Sequence, residues 1–185
     1  ASWTEKRTEQ APSARYGHVM WYDEVRRMVM VFGGYGGTWL NDLWGFDGVT
    51  WRRIDLPGAP EPRVVTAVAY DCLNQISYVY GGANRGLGRD NGTWFDDLWA
   101  LDANGWRRIV TPLSPGPRVG HTMAFDPVRR RVVLFGGNGT GNRETADTWE
   151  FDGTTWTQMA PQVSPPARYY HGMTYDTAMG RVLLF

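Results

Sequence analysis

The clearest pattern of the chain is an alternation of bulky and small residues that is followed by an unbroken apolar run. From Val119 to Phe125 every second residue is bulky, which is the two-residue period of a β-strand, strand A. The apolar run Val132–Phe135 predicts strand B, which neighbours cover on both faces. Segments Thr148–Phe151 and Thr155–Met159 flank the hairpin-type dipeptide Asp152-Gly153 and predict strands C and D. The pattern therefore indicates antiparallel strands and no helix.

Near-copies of this segment recur with fixed spacing between their landmarks. Each copy begins with an arginine, and the first residue of a glycine pair follows 18 residues later in every complete copy. Two later tryptophans are seven residues apart, and the next arginine follows after twelve more. Only the step from glycine to tryptophan varies, at 11, 18 and 13 residues. This spacing predicts repeats at 15–62, 63–117 and 118–167, a partial copy at 168–185 and a lone strand D at 3–5, or 15 strands in all.

Glycine pairs and tryptophans at matching positions carry a resemblance to a known family; they are Gly33–Gly34, Gly81–Gly82, Gly136–Gly137, Trp51, Trp106 and Trp156. With repeats of 48, 55 and 50 residues, the chain resembles kelch-repeat proteins over its whole length, of the bacterial type and like the central domain of galactose oxidase. The resemblance implies an all-β, kelch-type β-propeller of four-stranded antiparallel blades, with three complete repeats and partial blades at both ends. Residues 1–185 are then a single propeller domain or a fragment.

The last copy stops before its strand C, which bears on how the propeller closes. We expect either a fragment of a longer parent chain or a protomer that self-associates to close the ring, because closed propellers have about 4–8 blades. An unpaired strand edge would favour such association.

Composition excludes some functions and suggests a source. The net charge is zero, so we expect no nucleic-acid ligand, and no apolar run is long enough for membrane insertion. The single cysteine, Cys72, excludes an internal disulfide and a cysteine metal cluster. The chain has 18 arginines and one lysine, from which we expect a bacterial source. We expect the protein to be extracellular or associated with the cell envelope.

The strand order predicts which face of the propeller binds a ligand. In an up-and-down blade, the B–C and D–A loops lie at one end and the A–B and C–D turns at the other. All variation in repeat length falls in the B–C segments 35–41, 83–96 and 138–146. Because binding loops vary on a constant scaffold, we expect the ligand at that end.

An arginine opens each copy, at Arg15, Arg63, Arg118 and Arg168. In kelch adaptors that recruit acidic peptides, similarly placed arginines contact ligand carboxylates, so the resemblance makes these four candidate ligand-binding residues. The alternative is structural: each arginine pairs with a recurring aspartate of a neighbouring blade, namely Asp42, Asp97 or Asp147.

Two tryptophans in the B–C segments are further candidates for ligand binding. Trp39 and Trp94 each lie five residues before a strand C tryptophan, and Glu144 takes that place in the third copy. An indole near a loop end can stack on a sugar or a cation, or it can simply pack on the blade edge.

No motif predicts a catalytic residue, a metal or a cofactor. His18, His121 and His171 share one register position, where the second copy has Thr66, and a structural role fits them better than a metal because they lie in different blades. The sequence Asp90-Asn91-Gly92 is acidic but lacks the spacing of a known calcium loop.

These observations favour a non-catalytic binding platform for a protein or a glycan. One alternative is a carbohydrate-active enzyme of the oxidase or epimerase type, with its site at the mouth of the central channel. Another is a structural repeat used for assembly.

Overall fold

The computed structural model describes residue 2 and residues 4–84 and 92–185, and this part of the chain is all β-structure. Its strands in chain order are β1 (Val19–Asp23), β2 (Met28–Tyr35), β3 (Trp39–Phe46), β4 (Trp51–Arg53), β5 (Ala67–Asp71), β6 (Ile76–Tyr80), β7 (Ala83–Asn84), β8 (Thr93–Trp94), β9 (Leu98–Asp102), β10 (Gly105–Ile109), β11 (Arg118–Val119), β12 (Thr122–Asp126), β13 (Arg131–Phe135), β14 (Asn138–Gly139), β15 (Arg143–Glu144), β16 (Thr148–Phe151), β17 (Trp156–Met159), β18 (Met173–Asp176) and β19 (Arg181–Leu184). None of the described residues forms a helix long and apolar enough to cross a membrane.

Three antiparallel sheets of four strands form the complete blades of a β-propeller. The first blade is β1-β2-β3-β4, the second is β5-β6-β9-β10, and the third is β12-β13-β16-β17. Strands β18 and β19 form a two-stranded start of a fourth blade. The innermost strands β1, β5, β12 and β18 contact one another in that order, so strand A of each blade lies at the propeller axis.

The described residues contain 19 strands, more than the 15 expected, because the B–C connections carry four short strands of their own and β11 is a separate start of strand A. In the second blade these are β7 and β8, and in the third β14 pairs with both β11 and β15. The expected lone strand at 3–5 includes Trp3, which lies outside the described residues.

Strand A is shorter than its alternation pattern suggests. The strand expected from Val119 is interrupted at Gly120, where φ is +65°, and resumes at Thr122. The same left-handed backbone occurs in the other copies, at Gly17, Val65 and Tyr170. These four residues are joined across blades, because Val65 N–H donates to Gly17 O at 2.8 Å, Gly120 N–H to Val65 O at 3.2 Å, and Tyr170 N–H to Gly120 O at 2.8 Å.

Aromatic side chains fill the spaces between blades. Between the second and third blades, Tyr78 packs on Phe151 with ring centroids 5.4 Å apart, and Tyr80 packs on Trp156 at 5.5 Å. Burial of large aromatic rings supplies much of the apolar stabilisation of a core. Of the six recurring tryptophans of strands C and D, Trp106, Trp149 and Trp156 are buried, whereas Trp44, Trp51 and Trp99 are partly buried.

The antiparallel order gives the propeller two distinct faces. The loop face carries the B–C and D–A connections, and the hairpin face carries the A–B hairpins and C–D turns.

Candidate functional site

The lead arginine of each complete blade begins a buried clamp on the loop face. Arg63, which is fully buried, donates from Nη1 and Nη2 to the two carboxylate oxygens of Asp97, at 2.6 and 2.9 Å. Nη1 also donates to Gly81 O at 3.0 Å, and Nε donates to Glu61 O at 3.1 Å. Trp99 Nε1–H completes the clamp by donating to Asp97 at 2.7 Å. Such a two-pronged pairing fixes both side chains in one geometry.

The first and third blades repeat this clamp. Arg15 pairs with Asp42 at 2.5 and 3.0 Å, and Arg118 pairs with Asp147 at 3.0 and 2.8 Å. These aspartates are the expected partners, but each belongs to the same blade as its arginine and not to a neighbouring blade. Arg168, which begins the fourth copy, donates from Nε to Pro166 O at 3.2 Å.

The clamps keep their aspartates ionised. Burial of Asp97 favours its neutral form, but hydrogen bonds from Arg63 and Trp99 outweigh that effect and hold its pKa below the ordinary value. The pKa of Asp147 is lowered by Arg118 against the same opposing effect of burial. Both carboxylates therefore stay charged through the neutral pH range.

The backbone of each lead arginine links its blade to the preceding one. The carbonyl of Arg118 accepts the N–H of Gly82 at 2.9 Å, and the carbonyl of Arg168 accepts the N–H of Gly137 at 2.9 Å. A Cβ on Gly136, whose φ is +63°, would lie 2.7 Å from the Arg168 carbonyl oxygen. The glycine pair thus allows this close approach, in a backbone region that side chains disfavour.

The three histidines line one cavity of about 270 Å³ at the channel mouth on the loop face, together with Thr66 and Tyr170. Both ring nitrogens of the buried His121 are without a hydrogen-bond partner among the described residues, and its imidazole packs edge-on against Tyr80 at 5.6 Å. Burial and the nearby Arg118 lower the pKa of His121 to about 3.

The other two histidines do not form a metal site with His121. His171 shares a 2.6 Å hydrogen bond with the Thr122 hydroxyl through Nε2, and burial followed by Arg168 lowers its pKa. In the described part of the chain, no three His, Cys, Asp or Glu side chains are grouped to hold a metal ion. The acidic segment noted in the sequence includes Asp90 and Asn91, which lie outside the described residues.

A cross-strand triplet of residues lies on the loop face of each blade. In the first blade it is Tyr16, Tyr35 and Trp39, since Tyr35 pairs with both of the others. Their rings are in contact, with centroids 5.5 Å apart for Tyr16 and Tyr35 and 5.1 Å for Tyr35 and Trp39. Tyr16 is 62% exposed, whereas Tyr35 and Trp39 are half-buried.

The triplets of the other blades have the same register but different chemistry. The second consists of Val64, Ala83 and Trp94, and the third of Val119, Asn138 and Glu144. The structure therefore gives Trp39 and Trp94 the equivalent places that their spacing indicated. Sequence reasoning missed Tyr16 and Tyr35, although a tyrosine directly after the lead arginine, where two other copies have valine, was a visible signal.

Comparisons with known proteins agree with this architecture. A family model described as the KLHDC2/KLHL20/DRC7 Kelch-repeats domain matches residues 1–114. An F-box/kelch-repeat protein of Arabidopsis thaliana is 29% identical over 146 residues, which are 70% of this chain and 29% of that protein. Adagio-like protein 3 of Oryza sativa subsp. japonica is 29% identical over 146 residues, covering 73% of this chain and 22% of that protein. Host cell factor of Drosophila melanogaster is 29% identical over 139 residues, covering 70% of this chain and 9% of that protein. The chain thus spans less than a third of the length of these relatives.

The relatives also correct the expected source and location. The excess of arginine over lysine was interpreted as the mark of a bacterial source, and the protein was expected to be extracellular or envelope-associated, but the relatives come from eukaryotes. Arginine content follows codon usage and local ion pairing as well as lineage, so this inference was wrong. The family model covers 114 of 185 residues, and the blades, glycine pairs and recurring tryptophans are present in the structure; the chain belongs to the kelch-repeat family.

Proposed function

We propose that the chain is a non-catalytic protein-interaction platform that binds its partner on the loop face. One observation carries the proposal: a constant clamp lies beneath triplets whose side chains differ from blade to blade. Constant support with variable contact residues is typical of binding sites built on rigid scaffolds.

The names of several relatives support a partner that is a protein. One is an F-box/kelch-repeat protein, and another is the Dynein regulatory complex subunit 7 of Chlamydomonas reinhardtii, which is 32% identical over 134 residues and is named as part of an assembly.

The triplet of the first blade is the proposed centre of the site. Tyr16, Tyr35 and Trp39 offer three rings in contact at the blade edge, and Tyr16 is exposed. Aromatic residues of this kind carry a large share of binding energy in protein interfaces. Trp94, half-buried in the second blade, supplies a further ring, and Glu144 makes the third blade acidic at the same register. A partner with an apolar segment and a basic group is complementary to this surface.

In this proposal the lead arginines have different roles. The guanidinium groups of Arg15, Arg63 and Arg118 hold the B–C segments through their aspartates, so they position the site and do not contact the partner. Arg168 remains a candidate contact, because it is half-exposed beside the aromatic pair Tyr169 and Tyr170.

A selection from a displayed peptide library tests the proposal. Peptides retained by the wild-type chain should bind Trp39→Ala at least tenfold more weakly, as expected when a central aromatic contact worth about 1.4 kcal/mol or more is removed. Val128→Ala is the matched control, because Val128 is 77% exposed on an A–B hairpin of the opposite face. Thermal melts of both variants establish that they are folded.

Two outcomes would overturn the proposal. One is equal or greater loss of peptide binding in folded Val128→Ala. The other is retention of glycans and no peptides when the same protein is applied to a glycan array, which would favour a sugar stacked on Trp39 or Trp94.

A further inference from the structure

A crevice on the hairpin face separates the second and third blades. Its volume is about 230 Å³, and its lining includes Asp71, Asn74, Tyr78, Arg130, Arg131 and Asp152. It lies on the face opposite the triplets, so it is independent of the proposed protein-binding site.

The corresponding space between the first and second blades is bridged by an arginine. Arg26 donates from Nη1 to Asp23 Oδ2 at 2.6 Å and from Nη2 to the backbone carbonyl of Asp102 at 2.8 Å. Its own N–H donates to Asp23 Oδ1 at 2.8 Å. One guanidinium group thus joins the A–B hairpin of the first blade to the C–D turn of the second.

The second blade has the same acceptors but a shorter side chain. Asp71 caps its hairpin as Asp23 does, and the residue three positions later is Asn74 in place of arginine. Asn74 Nδ2 donates to Asp71 Oδ2 at 2.8 Å but makes no bond to the third blade among the described residues. Asp152, four residues before Trp156, takes the place that Asp102 has before Trp106. The crevice is therefore the space that an arginine occupies one blade earlier.

The side chain of Tyr78 adds a hydroxyl to the lining of the crevice. Tyr78 is only 4% exposed and lines the crevice, and no hydrogen bond of its hydroxyl is found among the described residues. The counterpart of Tyr78 in the first blade is the apolar Met30, so this hydroxyl is specific to the second crevice. A hydroxyl can both donate and accept a hydrogen bond, so Tyr78 can bond to a ligand in the crevice.

We propose that this crevice binds the guanidinium group of an arginine side chain from a partner protein, in the position that Arg26 fills one blade earlier. The planar guanidinium presents several N–H donors in a fixed fork, which suits acceptors on two different blades better than a compact ammonium group does. The buried Asp71 and the exposed Asp152 supply negative charge to the crevice, while Arg130 and Arg131 lie at the same crevice without a carboxylate within 4.0 Å among the described residues. An anion that pairs with these two arginines is the competing ligand.

Amide chemical shifts of the isotope-labelled chain distinguish these ligands. N-acetyl-arginine methylamide should shift the amides of Asn74 and Gly153, whereas N-acetyl-lysine methylamide and inorganic phosphate at equal concentration should shift them far less. In Asn74→Arg, the guanidinium of the new side chain should occupy the crevice and raise the melting temperature. It should also weaken binding of N-acetyl-arginine methylamide at least tenfold.

Matched variants keep this test decisive. Leu73→Arg adds the same charge at a 49% exposed position of the same hairpin and should leave the response to the arginine probe unchanged. Asn74→Ala removes the amide that occupies Asp71 and should bind the probe at least as tightly as wild type. The proposal is overturned if phosphate gives larger chemical-shift changes than the arginine probe. It is also overturned if Leu73→Arg weakens binding of the probe as much as Asn74→Arg does, or if Asn74→Ala no longer responds to the probe.

Discussion

Replacement of His121 by threonine should remove much of the dependence of stability on pH between pH 7 and pH 5. His121 is 3% exposed, and burial followed by the charge of Arg118 lowers its pKa from 6.5 to about 3. The folded protein therefore keeps this imidazole neutral, whereas the unfolded chain protonates it below about pH 6.5. Because the unfolded state binds the extra proton, the free energy of unfolding must fall as the pH falls through the window from 6.5 to 3.

The size of this effect follows from the two pKa values. At pH 7 the unfolded chain gains almost nothing from protonation of His121. A pH of 5 is 1.5 units below 6.5, the pKa of His121 in the unfolded chain, and it is still above the pKa of about 3 in the folded protein. The loss of stability between these pH values is about 2 kcal/mol, at 1.36 kcal/mol for each unit.

The chain itself offers the matched replacement. Thr66 occupies the same register in the second blade, and its hydroxyl donates to the Tyr80 carbonyl at 2.6 Å. In His121→Thr, the new hydroxyl should donate in the same way to Phe135, the counterpart of Tyr80. His18 and His171, whose pKa values are also lowered by burial, are present in both proteins and cancel in the comparison.

Urea titrations at pH 7, 6 and 5 measure the effect. The difference in unfolding free energy between wild type and His121→Thr should change by about 2 kcal/mol over this range, and any constant loss of packing in the variant cancels. If the free energy of unfolding changes with pH by the same amount in both proteins, the reasoning is refuted, because the fold then does not hold His121 neutral.

Three further predictions concern the scaffold and are checked by urea denaturation. Asp147→Asn should lower the free energy of unfolding by about 3 kcal/mol, because it leaves the buried Arg118 guanidinium unpaired, whereas Asp55→Asn on the surface should change little. Gly136→Ala should cost about 1–3 kcal/mol, because the new Cβ would lie 2.7 Å from the Arg168 carbonyl oxygen at a φ of +63°, and a change of a few tenths would show that the contact relaxes freely. Val65→Gly should be neutral or stabilising by up to about 1 kcal/mol, because a β-branched residue is strained at its φ of +55°, and a clear loss of stability would contradict this.

The blades could be predicted from the sequence because their pattern is local. Segments Val132–Phe135 and Thr148–Phe151 were predicted as strands B and C, and the structure has strands at Arg131–Phe135 and Thr148–Phe151. Asp152-Gly153 indicated the turn between strands C and D; the loop spans the four residues 152–155, and the Asp152 carboxylate holds it by accepting the N–H groups of Thr154 and Thr155. Fixed spacing then carried these assignments from one repeat to the next.

The interruption of strand A could not be predicted in the same way. Gly120 suggested only a small residue in an alternating strand, and the equivalent Val65 and Tyr170 adopt positive φ although their side chains disfavour it. Hydrogen bonds between blades hold this backbone in place, as when Gly120 N–H donates to Val65 O. Such contacts join residues 48 to 55 positions apart and leave no local pattern.

The place of the lead arginines shows how repetition bears on function. The aspartate two residues before a strand C tryptophan, as in Asp97 and Trp99, recurs in every complete copy and indicated the partner of Arg63, although that partner was expected in a neighbouring blade and lies in the same one. The pairing was hard to assign because the variable B–C segment lies between the two residues. Residues that recur in every blade have a structural role that every blade needs. Here that role is to hold the B–C segment against the start of strand A. Recognition of one partner needs residues that differ among blades, so the aromatic triplet around Tyr35 and the crevice opened by Asn74 are stronger candidates for binding than any residue of the repeat itself.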